Sequence, residues 1–391
     1  MALFSLMFYD KDIAIVKISG NDYDVINYEE AIEHAYRSVE DLVKSKLTIS
    51  SRPAIKTMLS CIPNLTLEEF ANWTHCVSVT DCIWLRASGE ETSWKDVSPF
   101  RGKLDERVAR AAAYGIRLSD EELGFNDNLS MQATTASVHC QFKGDADKSL
   151  LTDVTGKINL FKSYGTTNEK HENVRTYMES VAYGIAKQFG ADGFVNYNVF
   201  ENRIDNGDIR MFSGCKIFTG ERCNLVPLSI SSMHNFGMKQ LMGIIDGTFI
   251  DRVCDMMLVD SLVLNTGRSR DDIGLIYDAR FNIVGIAPIF DFDSSLGWDI
   301  DLSKQSIAEA VNEANSKVNR GLKTTFDDQA ASFADKLVAE RLQGIDADKI
   351  DRVKMSKCAG LSEKRREFVK ELIKKRVSSV KAAVTRSRIR G

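Results

Sequence analysis

The sequence predicts an α+β protein of two lobes, a small mixed-sheet lobe and a mostly helical C-terminal lobe. From about Thr134 to Pro227, short strand-like runs surround one helical stretch, the composition of a small mixed sheet with a crossing helix. From about residue 228 the pattern is mostly helical. With 391 residues, 43% of them hydrophobic, the chain is long enough for two or three domains or lobes. Three segments are expected: 1–130, a strand pair and helices packing on the core; 131–227, the small lobe; and 228–391, the helical lobe.

At the N-terminus, LFSLMF and DIAIVKIS read as paired strands. Asn27 and Glu30 are expected to cap a helix whose apolar stripe is Ile32, Tyr36, Val39 and Val43. Thr66-Leu67-Glu68-Glu69 reads as a capping box at the start of a second helix. Residues 78–100 combine a short aromatic-rich strand, a turn at Ser88-Gly89 and a further apolar segment, read as a structural cap. The last element begins near Ser362 and carries Val369, Leu372, Ile373, Val377, Val380 and Val384 at helical spacing, a core-facing stripe.

Bulk charge excludes some functions. A net charge of -4 gives no global attraction to nucleic acid or to an anionic membrane. Nucleic-acid contact is expected only locally, through the basic end of the last helix at Lys374, Lys375, Arg376, Lys381, Arg386, Arg388 and Arg390. Eight cysteines without a C-x-x-C pair, beside five scattered histidines, argue for free thiols rather than zinc or a disulfide framework. No signal peptide is evident in the opening residues and no uncharged apolar run could cross a bilayer, so a cytoplasmic location and no membrane partner are expected.

In INLFKSYG, Ile158, Leu160 and Lys162 share one strand face, so the ammonium starts among apolar neighbours and needs a partner. A candidate is Glu179, on a helix packed down by Val174, Met178, Val181 and Ile185 and ended by Gly190. A strand lysine paired with a helix glutamate is how kinases fix an ammonium against ATP phosphates, although plain salt bridges take the same form.

Further on, Phe249, Val253, Met256, Met257 and Asp260 share one side of a helix. An acid on an apolar face must find donors, expected from backbone amides of the following turn, LNTGRSRDDIG. Two strands, GLIYD and IVGIAPIF, then form a hairpin that empties into Asp291-Phe292-Asp293. Asp271, Asp272, Asp291 and Asp293 are hard oxygen donors of the kind Mg²⁺ accepts jointly with a phosphate, and Asp272, Asp291 and Asp293 are the expected metal ligands.

Together these segments resemble the HipA-like serine/threonine kinase family, from about residue 75 to about 380. SVTDCIWL, with Trp94 beyond it, is similar to the family's SLNDQYWI region. TTASVHCQF falls where relatives have a TTDG-type phosphate loop, but has Ala136 and Ser137 in place of Asp-Gly. INLFK resembles the ATP-lysine strand, YMES the helix glutamate, and CKIFTGERCNLVPL the strand and hinge leading to the adenine site. The resemblance thus implies a protein-kinase-like fold, Mg²⁺ and ATP as cofactors, and nucleotide contacts from Lys162, Glu179, Ser137 and Phe218.

The family's catalytic stretch, LIDYLIxNTDRHxxNxG followed by APxFD, is similar to MLVDSLVLNTGRSRDDIG followed by IAPIFD. Asp260, Asn265, Arg268, Gly274 and Asp291 match. Gly267 replaces the base aspartate, Ser269 the histidine and Asp272 the metal-binding asparagine. Asp291, Asp272 and Arg268 are therefore the residues expected to carry whatever chemistry remains. The pattern implies a kinase-fold protein with lost or strongly reduced phosphotransfer that acts by binding a protein partner. Two alternatives stay open: an active toxin-like or effector kinase using Asp271 or Asp272 as base, and an interaction protein of a mobile element or virus that binds no nucleotide.

Overall fold

Alternating apolar residues at the N-terminus become a four-stranded antiparallel sheet in the computed structural model, which describes residues 1–127, 129–167, 174–203, 209–244, 247–333, 338–350 and 361–390. Its spatial order is Asp22–Tyr28, Lys11–Ser19, Ala2–Phe8, Ile83–Ala87. Registers Phe4↔Val16, Leu6↔Leu85 and Phe8↔Ile83 put these apolar side chains on one buried face, as the period of two requires. The expected strand pair is thus present, with two further strands beside it.

The helix expected to start at Asn27 and Glu30 begins later. Asn27 lies in the strand Asp22–Tyr28, Glu30–His34 is a 3-10 turn, and the α-helix is Val39–Leu47. Ser38 decides the start, because its hydroxyl accepts from the Asp41 amide at 3.2 Å, whereas Glu29 before the turn offers no side-chain cap. The four residues of the expected stripe are nevertheless all buried. At Leu67–Thr74 the predicted capping box is present, with Thr66 Oγ1 accepting from Glu69 N at 3.2 Å and Glu69 Oε2 accepting from Thr66 N at 2.8 Å.

The TTASVHCQF stretch is not a loop. It lies mostly within the helix Met131–Cys140, capped by Ser130, and every residue from Ala133 to Cys140 is buried. Small side chains at Ala133, Ala136 and Ser137 let neighbours cover the helix on all sides, which leaves no amphipathic period to read.

By internal contacts the chain divides into two compact units. One comprises Met1–Ser163, Cys215–Asn235 and Leu275–Gly285; the other comprises Tyr164–Gly214, Phe236–Gly274 and Ile286–Gly391. The hairpin of Gly274–Tyr277 and Ile283–Ile286, expected with the helical lobe, goes largely with the first unit. Its aromatic residues explain why: Phe281 lies 5.0 Å from the Phe8 ring, and the Tyr277 hydroxyl lies 3.1 Å from that of Tyr36.

In the second unit, residues 209–214 of the strand Ile209–Lys216 pair with Asn198–Arg203 and with Thr166–Thr167, and the helix Val174–Gln188 follows the expected burial of Val174, Met178, Val181 and Ile185. The helix Gly247–Val263 packs against Phe326–Phe333 and the long terminal helix Glu363–Arg390, whose Val369, Leu372, Ile373, Val380 and Val384 are buried as predicted, while Val377 of the expected stripe is only half-buried. Among the described residues the cysteines are free, and no helix is long and apolar enough to cross a membrane.

Candidate functional site

The helix Gly247–Val263 delivers Asp260 to a fully buried position near its C-terminal end. Leu264, in the left-handed region at φ 53°, turns the chain out of the helix into the loop Asn265–Ser269. Donors for Asp260 come from that loop, as expected, but from side chains rather than backbone amides. Arg268 Nε donates to Asp260 Oδ2 at 2.9 Å and Arg268 Nη2 to Oδ1 at 3.1 Å, while Asn265 Nδ2 donates to Oδ1 at 3.0 Å. A planar guanidinium matches a carboxylate with two bonds where single amides would leave charge uncompensated.

Arg268 also braces the second loop. Its Nη1 donates to the carbonyls of Phe290 at 2.6 Å and Asp272 at 3.2 Å, and its guanidinium carbon lies 4.9 Å from the centre of the Phe292 ring. Burial alone would lower its proton affinity; the neighbouring Asp260 carboxylate outweighs this and raises it, with help from Asp272 and Asp291. Asn265 completes the brace, donating to the Asp291 carbonyl at 3.2 Å and accepting from Gly267 N at 3.2 Å.

Asp291 follows the apolar pair Ile289-Phe290, beyond the strand Ile283–Ile286, and adopts φ 65°. Phe292 beside it is buried and stacks on Phe194 with centres 5.7 Å apart. The chain around Ile289 is fixed by bonds to Gly193 and Val195, so Asp291 emerges from a rigid base. Asp272 closes a small turn, its Oδ2 accepting from Ser269 N at 2.8 Å and Ser269 Oγ at 2.7 Å. Its carboxyl is pushed up to about 6, first by burial and then by the nearby Asp291 carboxylate, against the Ser269 bonds and the Arg268 charge.

Gly267, Arg268, Asp272 and Asp291 are thus gathered in one two-loop cluster, as the sequence predicts. Asp293, the third expected metal ligand, has another set of partners. It accepts from the Tyr164 hydroxyl, pairs with Arg175 at 3.1 Å, and takes a hydrogen bond from Ser294 Oγ at 2.8 Å. Arg175 in turn lies 4.0 Å from the Tyr164 ring centre and 4.7 Å from that of Trp298. Among the described residues, no group of three His, Cys, Asp or Glu is arranged to hold a metal ion. The pair Asp272 and Asp291 remains a fit for a divalent cation, because two partly buried carboxylates repel until a positive charge or a proton joins them.

Glu179 is also in the second unit, fully buried on its helix and accepting from the Ser213 hydroxyl. Lys162 is the last residue but one of the strand Ile158–Ser163 in the first unit and is buried, more deeply than a half-buried strand lysine. Phe218 follows the strand Ile209–Lys216, half-buried, in the first unit. Ser137 departs from its expected place on a phosphate loop, since its hydroxyl donates to the Val77 carbonyl at 2.8 Å inside a buried helix. Tyr164, Arg175, Ser213, Ser294 and Trp298 escaped the sequence reading. Only Arg175 left a trace, one helical turn before Glu179.

Fold and site define an α+β protein whose second unit carries a buried carboxylate–guanidinium pair beneath an acidic two-loop cluster. No protein-family model matches the chain, and no curated protein matches it. Among solved structures it is similar to the Helicobacter pylori proinflammatory kinase CtkA, at 19% identity over 62% of this chain and 94% of that one, with a TM-score of 0.46. It is also similar to a chain of the Shewanella oneidensis MR-1 toxin–antitoxin complex of HipA, HipB and operator DNA, at 11% identity, 98% and 97% coverage and a TM-score of 0.43. A Golgi casein kinase with Mn/ADP bound is matched at 10% identity, 62% and 71% coverage and a TM-score of 0.31.

Proposed function

We propose that this chain is a HipA-like kinase-fold protein with lost or strongly reduced phosphotransfer, acting through a protein partner and still able to hold Mg-ATP. The observation that carries this is the loop Asn265–Ser269: Asn265 and Arg268 both bond the Asp260 carboxylate and reach the carbonyls of Asp291 and Phe290, yet the intervening position of the base is Gly267. A scaffold retained in this detail around a missing side chain favours binding over proton abstraction.

Asp272 and Asp291 are the residues that would hold Mg²⁺. Bound there, the ion would offset the phosphate charge of a nucleotide. Asp291 would supply an oxygen just beyond Ile289, which is bonded to Gly193 and Val195, and Ser269 holds Asp272 in place. Ser137 drops out as a phosphate contact, and the roles of Lys162, Glu179 and Phe218 toward a nucleotide follow from the resemblance.

Thermal unfolding with and without Mg-ATP tests the proposal, since a ligand that binds only the folded state stabilises by RT ln(1 + [L]/Kd). The expected result is a rise in Tm that Asp291→Ala abolishes, with no phosphate incorporation at ordinary kinase rates. Efficient incorporation lost in Asp291→Ala would overturn it.

One observation favours an active kinase instead. The Asp272 carboxyl, near 6, has the proton affinity of a general base at physiological pH. That alternative requires phosphotransfer that Asp272→Ala removes.

A further inference from the structure

Gly267 has a neighbour that explains the absence of a side chain. A Cβ built on Gly267 would lie 2.7 Å from Ser294 Cβ and 2.9 Å from Ser294 Oγ. Real carbon atoms do not approach so closely, and rotation about χ1 moves Oγ but leaves Cβ where it is. Gly267 has no positive φ that would itself call for glycine. The constraint is therefore Ser294.

Ser294 is also held by three hydrogen bonds, two at its carbonyl and one at its hydroxyl. Its carbonyl accepts from Thr266 N at 3.1 Å and from Thr266 Oγ1 at 3.0 Å. Its hydroxyl donates to Asp293 Oδ1 at 2.8 Å, and Asp293 is anchored by Tyr164 and by Arg175, which lies between the Tyr164 and Trp298 rings. A shift of either loop to admit a new side chain would strain these bonds.

We propose that Ser294 is a plug in the base position: its Cβ fills the space a side chain at residue 267 would need, and the Asp293–Arg175–Tyr164 anchor keeps it there. Its functional meaning rests on the kinase-fold proposal above; its steric content does not. Loss of the base is then built into two loops rather than one residue, and a single reversion cannot restore it. Asp293 accordingly serves as the anchor of the plug.

The test is a mutant cycle on thermal stability in the full chain. Gly267→Ala should lower Tm by several degrees, and Ser294→Gly in the same chain should recover most of that loss, whereas Ser294→Ala, which keeps the Cβ, should recover none. If Gly267→Ala does not fold, recovery of a folded protein by Ser294→Gly and not by Ser294→Ala gives the same support. A Gly267→Ala protein as stable as the parent, additive losses, or equal recovery by both partners would overturn the assignment. Phosphate incorporation from Mg-ATP is then measured for Gly267→Asp and for Gly267→Asp with Ser294→Gly. Incorporation by the double variant alone supports both the plug and the kinase-fold proposal. Stability coupling without incorporation leaves the plug standing and counts against that proposal.

Discussion

Arg268 closes two hydrogen bonds on Asp260 with both side chains fully buried, so the pair fixes the loop of residues 265–269 from beneath. Removing one partner strands the other charge in a medium that solvates it poorly. Arg268→Ala should cost about 3–5 kcal/mol in urea unfolding, the usual range for breaking a buried pair. Arg268→Lys should recover little, because an ammonium cannot reproduce the fork to Asp260 while reaching the Phe290 carbonyl.

The same loop is pressed from another side. A Cβ on Gly321 would sit 2.1 Å from the Arg268 carbonyl oxygen, a backbone atom that no rotamer change can move. Gly321→Ala is expected to destabilise by about 1–3 kcal/mol, typical of overpacking, and to alter cation binding at Asp272 and Asp291 as the loop shifts. Chemical unfolding together with Mg²⁺ titration checks both effects.

Asp272 gives a pH dependence whose sign is opposite to that of most carboxylates. Its affinity for a proton is higher in the fold, near 6, than the usual carboxylate value of 3.8, so the folded state binds more protons over that interval. Its contribution to stability therefore falls as pH rises from about 4 through about 6. Asp272→Asn should raise Tm at pH 7.5 and leave it nearly unchanged at pH 4. Mg²⁺ should stabilise the parent more at pH 7.5 than at pH 5, which parallel thermal scans would show.

His139 acts at lower pH with the commoner sign. Its Nδ1 lies 2.6 Å from the Thr135 carbonyl, its Nε2 accepts from Leu150 N at 2.9 Å, and complete burial pushes its proton affinity down to about 4 from 6.5. Stability is fully present above pH 6.5 and falls as pH drops toward 4, by up to about 3 kcal/mol for a shift of this size. His139→Gln should be weaker at pH 7 yet show a flatter decline, measured by urea unfolding across the interval.

Several elements were legible because local chemistry decided them. Thr66 and Glu69 cap each other whatever surrounds them, and the stripe from Val369 to Val384 has one dry side. Asp260 was legible as a problem, an acid on an apolar face, and its donors came from the loop expected. Other features depended on contacts distant in sequence. Ser137 lies on a helix covered all round, which erases the period that marks a surface helix. Tyr277 and Phe281 assign their hairpin to the first unit by packing on Phe8 and Tyr36, residues far earlier in the chain. Ser294 left no signal, since a serine after Asp-Phe-Asp carries no motif, and its role appears only with the distance to Gly267.

The proposed site would hold Mg-ATP at Asp272 and Asp291 without transferring its phosphate. Titration calorimetry of the full chain with Mg-ATP, beside the Asp291→Ala variant, tests the binding half most directly. Saturable binding by the parent and none by the variant is the expected result. Absence of binding by the parent, or equal binding by both proteins, would contradict it.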